Sequence, residues 1–321
     1  MKIAIFGLGY VGSTATGCLA KQGHTIVGVD VAPSKVDAIN AGQSPVHEPG
    51  LEDLIATGRQ NSLISATQDV ASALIDADIA MVCVGTPSGP DGAHNMGHIV
   101  DVTRSIAKHM PTNRASALTL VYRSTMRPGS CENLIWPLLV ESLGDAESAD
   151  VELVYNPEFL REASAIADYF NPPKVVIGTR NSAASRAMDQ LYADIEAPRF
   201  YVGLREAEMT KFVDNSWHAT KVAFANEIGR VCEQLGVGVQ QVNEVFLADT
   251  KLNISAHYLR PGGAFGGSCL PKDVRALQNI ASDIGAQTHL VDALIRSNEA
   301  HKHHQFVQTT KGLRQGAAPR C

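Results

Sequence analysis

The stretch Gly7-Leu8-Gly9-Tyr10-Val11-Gly12 follows the apolar run 2–6 and opens a helical pattern over 11–22. This strand–GxGxxG–helix arrangement constrains the chain more than any other feature. Gly7 permits the tight turn, Gly9 lets a pyrophosphate approach the backbone, and Gly12 lets the helix pack on the sheet. The phosphates then sit at a helix N-terminus, beside Tyr10 and Val11, where unsatisfied N–H groups and the dipole favour anions. A second apolar run, 25–29, ends at Asp30, about 20 residues on. A carboxylate there accepts from both ribose hydroxyls and repels a 2′-phosphate, so NAD is favoured over NADP. Lys35 stands nearby in the same cofactor set and slightly weakens that exclusion.

Further strands are expected at 79–84, 118–121, 152–155 and 175–177, with helical segments between most of them. Strands alternating with helices imply βαβ units. The expected fold class is α/β: a Rossmann-type doubly wound parallel sheet over residues 1–200, then an all-helical domain over 201–308. That second domain opens with a long helix over 205–235, suited to a homodimer face, and continues with helices at 273–284 and 291–307. The last stretch, 309–321, is polar and patternless and reads as a disordered tail.

Two further strand ends reach the same sheet edge, where ligands of parallel sheets bind. Val84-Gly85-Thr86-Pro87 makes a small turn suited to passage of the cofactor, and Arg123-Ser124-Thr125 points Thr125 into the same crevice. The turn Asn156-Pro157-Glu158-Phe159-Leu160-Arg161-Glu162 offers two carboxylates, either of them a base.

A glycine-rich loop, 261–268, runs into Cys269-Leu270-Pro271-Lys272-Asp273. Pro271 suits a first helical turn, so Cys269 lies at or just before a helix N-terminus with Lys272 close by. That setting favours thiolate and marks Cys269 as a nucleophile. A thiol beside a hydride acceptor suits trapping an aldehyde as a thiohemiacetal, oxidising it to a thioester and hydrolysing that to an acid. Lys211 and Asn215, four residues apart on the long helix, project from one face and suit an oxyanion.

Composition excludes several classes. A net charge of −6 gives no basic footprint for nucleic acid, and no apolar run approaches the roughly 18–20 residues of a membrane span. The N-terminal apolar run is too short for a secretion signal, so a cytoplasmic location is expected. Six cysteines without CxxC spacing disfavour zinc and a disulfide framework. His301, His303 and His304 face different ways on a helix, and no metal site is expected.

The stretches 7–12, Glu48-Pro49-Gly50-Leu51, 84–87, 123–125, 156–162, 211–215 and 266–273 together resemble the UDP-glucose/GDP-mannose dehydrogenase family. Residues 159–166, 215–219 and 251–255 are more similar to its GDP-mannose branch, with UDP-glucose as the alternative substrate. The resemblance implies a four-electron oxidation of a sugar nucleotide's C6 alcohol to a carboxylate, using two NAD. Cys269 would be the nucleophile, and Lys211 and Asn215 the oxyanion stabilisers. Asp273 and Thr125 would position water, and Glu162 would assist the acyl step. His218, Asn226, Asn253, Tyr258, Arg260 and Phe265 would hold the sugar or its phosphates, with Glu162, Lys211 and Asn215. His257 stands where the mannose enzymes usually have tyrosine. Family members continue into another doubly wound domain, on the order of 100–150 residues. The chain is therefore expected to be one domain short, which leaves an inactive NAD-binding, dimerising fragment as the alternative.

Overall fold

The computed structural model describes residues 1–321 except 91, 112–113, 115, 149, 251–261, 284–288 and 317–321. Its strands are β1 (Lys2–Phe6), β2 (Thr25–Val29), β3 (Ile64–Thr67), β4 (Ile79–Val82), β5 (Leu118–Tyr122), β6 (Val151–Tyr155), β7 (Val175–Thr179) and β8 (Arg199–Gly203). They form one sheet in the order β3-β2-β1-β4-β5-β6-β7-β8. The helices among them are α1 (Tyr10–Lys21), α2 (Pro33–Asn40), α3 (Leu51–Gln60), α4 (Val70–Leu74), α5 (Gly97–His109), α6 (Trp136–Ser148), α7 (Ala165–Phe170) and α8 (Arg186–Leu191).

β4 and β5 are buried at every residue, as a parallel sheet covered on both faces requires. Alternation sorts their side chains and those of β1 into two layers. Ile3, Ile5 and Met81 join one core, and Ala4, Phe6 and Val82 the other. α1 lies close to the sheet because its buried face is built of small residues from Gly12 to Ala20. A Cβ on Gly17 would lie 2.8 Å from Leu51 Cδ1, so α1 and α3 meet where no side chain fits.

The sheet departs from the all-parallel expectation at one place. β6 and β7 are antiparallel, with Val154 opposite Thr179, while β8 runs parallel to β7. β7 therefore starts at the end of the sheet where β6 finishes, and the connection 156–174 stays at that end.

The chain divides into two compact units. One holds residues 1–87 and 94–211, the other 88–93 and 212–321. The two units part in sequence after Lys211, and a short loop after β4 goes with the second unit. That unit contains most of α9 (Leu204–Leu235), with α10 (Val239–Ala248), α11 (Leu270–Asp283) and α12 (His289–Gly316). Ala219, Ala223, Phe265, Val274 and Leu294 form its core. α12 carries the chain as helix to Gly316, so the stretch expected to be tail from 309 is helical for eight residues. Thr309 and Thr310 support it by donating their hydroxyls to the carbonyls of Gln305 and Phe306, one turn back. No described helix is long and apolar enough to cross a membrane.

Candidate functional site

The carboxyl ends of β1, β2, β4, β5 and β6 are brought level by their register. Gly7 N–H donates to Val29 O, Cys83 N–H to Phe6 O, Arg123 N–H to Val82 O and Asn156 N–H to Tyr122 O. The turns 7–12, 84–87, 123–125 and 156–162 open from this edge.

The three glycines of the turn meet different demands. Gly7 has φ +94°, a left-handed backbone that favours glycine. A Cβ on Gly12 would lie 1.8 Å from Gly7 O, which no side chain survives. A Cβ on Gly9 would meet nothing within 4 Å. Gly9 therefore leaves open space above the N-terminus of α1, where no side chain caps the helix. At the end of β2, Asp30 Oδ2 accepts from Leu8 N–H at 2.7 Å and Oδ1 from Ala32 N–H at 2.9 Å. Lys35 Nζ donates to Oδ2 at 3.1 Å. Burial pushes the Asp30 carboxyl up, but these donors outweigh it and hold it below the usual range. An uncapped helix start with an ionised acid beside it fits a pyrophosphate and a ribose diol, so the residues present suit NAD.

The turns after β4 and β5 are stitched together. Thr86 Oγ1 donates to Thr125 O at 2.8 Å, and Ser124 Oγ to Val84 O at 2.6 Å. Both threonines are buried.

Lys211 pairs with Glu158. Its Nζ donates to Glu158 Oε1 at 2.9 Å and to the Glu158 carbonyl at 2.7 Å. Glu158 also accepts from Leu160 N–H at 2.7 Å. Burial raises the Glu158 carboxyl, but the Lys211 ammonium, the Leu160 N–H and the Arg123 charge together outweigh it and hold it below the usual carboxylate range, so it stays ionised. Of the two carboxylates in this turn, Glu158 is buried and Glu162 is exposed.

In the second unit, Cys269 directly precedes α11 and is exposed and free. Its carbonyl accepts from Asp273 N–H at 2.8 Å, the first hydrogen bond of that helix. Cys18 and Cys83 are buried instead, and burial pushes their thiols up to about 12. Side chains on Gly263, Gly266 or Gly267 would meet nothing within 4 Å, so the loop before Cys269 has open space beside it. Asp273 is fully buried, accepts from Asn215 Nδ2, and lies 3.3 Å from Lys272 Nζ.

The loop is held by side chains that the sequence reading placed elsewhere or passed over. Asn226 Nδ2 donates to Gly263 O and its Oδ1 accepts from Gly262 N–H. Asn298 clamps Phe265 on both sides, with N–H to Oδ1 and Nδ2 to O each 2.8 Å. His301 Nε2 lies 2.5 Å from Gly262 O. Asn226 thus contacts the loop backbone, and the Phe265 ring lies in the core. His218 is half-buried on α9. Asn253, His257, Tyr258 and Arg260 lie outside the described residues. The spacing of Asn298 and His301, three apart on α12, was the available sign of a shared helix face.

Comparison with known proteins supplies the context. The family model described as "UDP-glucose/GDP-mannose dehydrogenase family, NAD binding domain" matches residues 1–196, and that family's central-domain model matches 205–300. GDP-mannose 6-dehydrogenase of Pseudomonas putida is 45% identical over 306 residues, which cover 95% of this chain and 70% of that protein. The crystal structure of a ternary complex of GDP-mannose dehydrogenase from Pseudomonas aeruginosa superposes with a TM-score of 0.77 at 43% identity, covering 97% of this chain and 71% of that one. A UDP-glucose dehydrogenase from Pyrobaculum islandicum is more distant in sequence, at 33% identity, and superposes at 0.87 over 93% of this chain and 68% of that one.

Proposed function

Because the chain belongs to the UDP-glucose/GDP-mannose dehydrogenase family, we propose that it oxidises the C6 alcohol of a sugar nucleotide, GDP-mannose, to the carboxylate. The observation that carries this reading is the exposed Cys269 at the start of α11, in a chain that also carries an uncapped dinucleotide turn. When bound, NAD supplies the hydride acceptor for both oxidations.

The residues of the chain divide the remaining work. The first-turn N–H groups of α1, with Gly7, Gly9, Tyr10, Val11 and Gly12, hold the pyrophosphate. Asp30 accepts from the ribose hydroxyls, and Lys35, Thr86 and Lys272 complete the cofactor set. The first oxidation turns the alcohol into an aldehyde, releasing a hydride and a proton. Cys269 Sγ then bonds to the aldehyde carbon and its proton passes to the oxygen, giving a thiohemiacetal. Lys211 and Asn215 stabilise that oxygen while charge develops on it. Glu158 keeps the Lys211 charge compensated in its buried setting. Loss of a second hydride and a proton leaves a thioester. Water positioned by Asp273 and Thr125 adds to its carbonyl with Glu162 as acid or base, the C–S bond breaks, and the carboxylate leaves with the thiol restored. His218, Asn226, Asn253, Tyr258, Arg260 and Phe265 bind or shape the sugar nucleotide.

Val213, Trp217 and Phe224 are exposed along α9, and Val242 and Val245 along α10. Such apolar residues mark a surface that a second copy of this chain would cover, giving a homodimer. The five described cysteines are free, which suits a reducing cytosol.

The test is NADH formation from GDP-mannose and NAD. Two NADH per sugar are expected from the unmodified chain, and no more than one from Cys269→Ala, which lacks the thiol that the second oxidation needs. No NADH would overturn the reading, and a higher kcat/KM with UDP-glucose would reassign the substrate. Sedimentation of the full chain as a monomer would remove the homodimer.

A further inference from the structure

Glu48 opens the motif Glu48-Pro49-Gly50-Leu51, which neither the dinucleotide turn nor the thiol chemistry accounts for. The residue is 6% exposed. A buried carboxylate demands donors, and three meet it. Tyr10 OH donates to Oε2 at 2.5 Å, Ala163 N–H to Oε2 at 2.9 Å and Ala165 N–H to Oε1 at 2.8 Å.

These donors come from the two places where the chemistry of the first unit is concentrated. Tyr10 is the first residue of α1, inside the glycine turn. Ala163 and Ala165 follow directly on the turn that carries Glu158 and Glu162. The Tyr10 hydroxyl also lies 3.4 Å from the Arg161 carbonyl oxygen, so it touches that turn itself. Burial, and then the Glu48 carboxylate, push the Tyr10 phenol up, which keeps it a donor.

The loop end is held in a conformation that needs such support. Ala163 has φ +67°, a left-handed backbone unusual for a residue with a side chain. Its N–H is one of the two that Glu48 receives. On the near side, the Arg161 N–H and guanidinium both bind Asp168. Gly50 brings the motif against α7, where a Cβ would stand 3.6 Å from Ile166 Cδ1.

We propose that Glu48 is a positioning residue that couples the cofactor turn to the acid–base loop. An anion at the N-terminus of α1 orders the backbone of Tyr10. The phenol on that residue then fixes Glu48, and Glu48 sets Ala163 and Ala165, so filling the turn stiffens the loop that presents Glu158 and Glu162. The inference rests on the dehydrogenase reading, since it takes NAD as the anion.

The experiment measures amide hydrogen exchange over residues 158–170 of the full chain, with and without NAD, while calorimetry measures NAD binding. In the unmodified chain NAD is expected to slow exchange there about fivefold or more. In Glu48→Gln, NAD is expected to bind within about threefold of the same Kd while the slowing falls below about twofold, and kcat drops about tenfold with a smaller change in KM. A merely structural Glu48 would lower the melting temperature and leave the slowing in place, which would overturn the proposal. If Glu48→Gln does not fold, Tyr10→Phe removes one hydroxyl and carries the same test, with loss of slowing supporting the coupling and retention overturning it. Failure of the unmodified chain to bind NAD would overturn the dehydrogenase reading and the coupling with it. NAD binding without any slowing would overturn the coupling alone.

Discussion

Lys211 and Glu158 form an ion pair 2.9 Å apart, with their side chains only 6% and 9% exposed. Two charges that far out of water stabilise each other only as a pair.

Removing one member should therefore cost more than the bond itself. Lys211→Met leaves Glu158 buried without its ammonium and should destabilise the fold by about 3 kcal/mol in urea titration. It should also lower kcat by about a hundredfold or more. Glu158→Gln should cost a similar amount, because it leaves the Lys211 ammonium buried without its counter-charge although an amide oxygen remains to accept from it. The pair has a pH signature. Glu158 has a folded value below its ordinary one, so its contribution is complete above the ordinary carboxylate range and is lost as pH falls through the depressed value.

Glu208 should behave in the opposite sense. It is fully buried on α9 and accepts from Gly129 N–H at 2.5 Å and Cys131 N–H at 2.8 Å. Burial outweighs those donors and raises its carboxyl to about 7. The folded state thus binds this proton more tightly than the unfolded chain. The group's contribution is largest below the ordinary value of 4.5 and is lost as pH rises through 7. Glu208→Gln should remove a stability difference on the order of 2–3 kcal/mol between pH 4.5 and 7.5, read as the difference between wild-type and variant urea midpoints across that range.

The glycines of the dinucleotide turn should separate packing from binding. Gly12→Ala places a Cβ 1.8 Å from Gly7 O and should destabilise the first unit by about 3 kcal/mol or more. Gly9→Ala meets no protein atom within 4 Å and should leave the melting temperature within about 2 °C of wild type. NAD affinity should nevertheless fall about tenfold or more in Gly9→Ala, because the methyl enters the open space above the α1 terminus. Paired calorimetry and thermal unfolding would show whether the two glycines part in this way.

Asn298 should matter to a thiol it does not touch. Asn298→Asp retains the acceptor for Phe265 N–H but sets a carboxylate against Phe265 O. The loss should be about 1–3 kcal/mol of stability, with faster exchange over residues 262–268 and a lower kcat at nearly unchanged NAD affinity. Unchanged exchange in that loop would count against the clamp.

The first βαβ unit was legible because its residues answer to local rules. Gly7, Gly12 and Asp30 each serve a backbone or ligand demand readable at fixed spacing. β3 and β8 escaped notice because Ile64-Ser65-Ala66-Thr67 and Arg199-Phe200-Tyr201-Val202-Gly203 are short and mixed in polarity, with partial exposure along them. The direction of β7 was invisible, since an apolar run fits either orientation. Glu158 and Glu162 look alike in the chain. They part only when Glu158 is buried beside Lys211. Asn298 and His301 read as an ordinary polar helix face until the glycine-rich loop folds back on them.

The reversal of β7 carries a consequence for variation. The loop bearing Glu158 leaves the sheet and returns to it at one edge, as a hairpin does. A change at one point of that loop is thus passed to Glu48 through Ala163 and Ala165 and to the core through Tyr169, and does not need to cross the sheet to reach the cofactor turn.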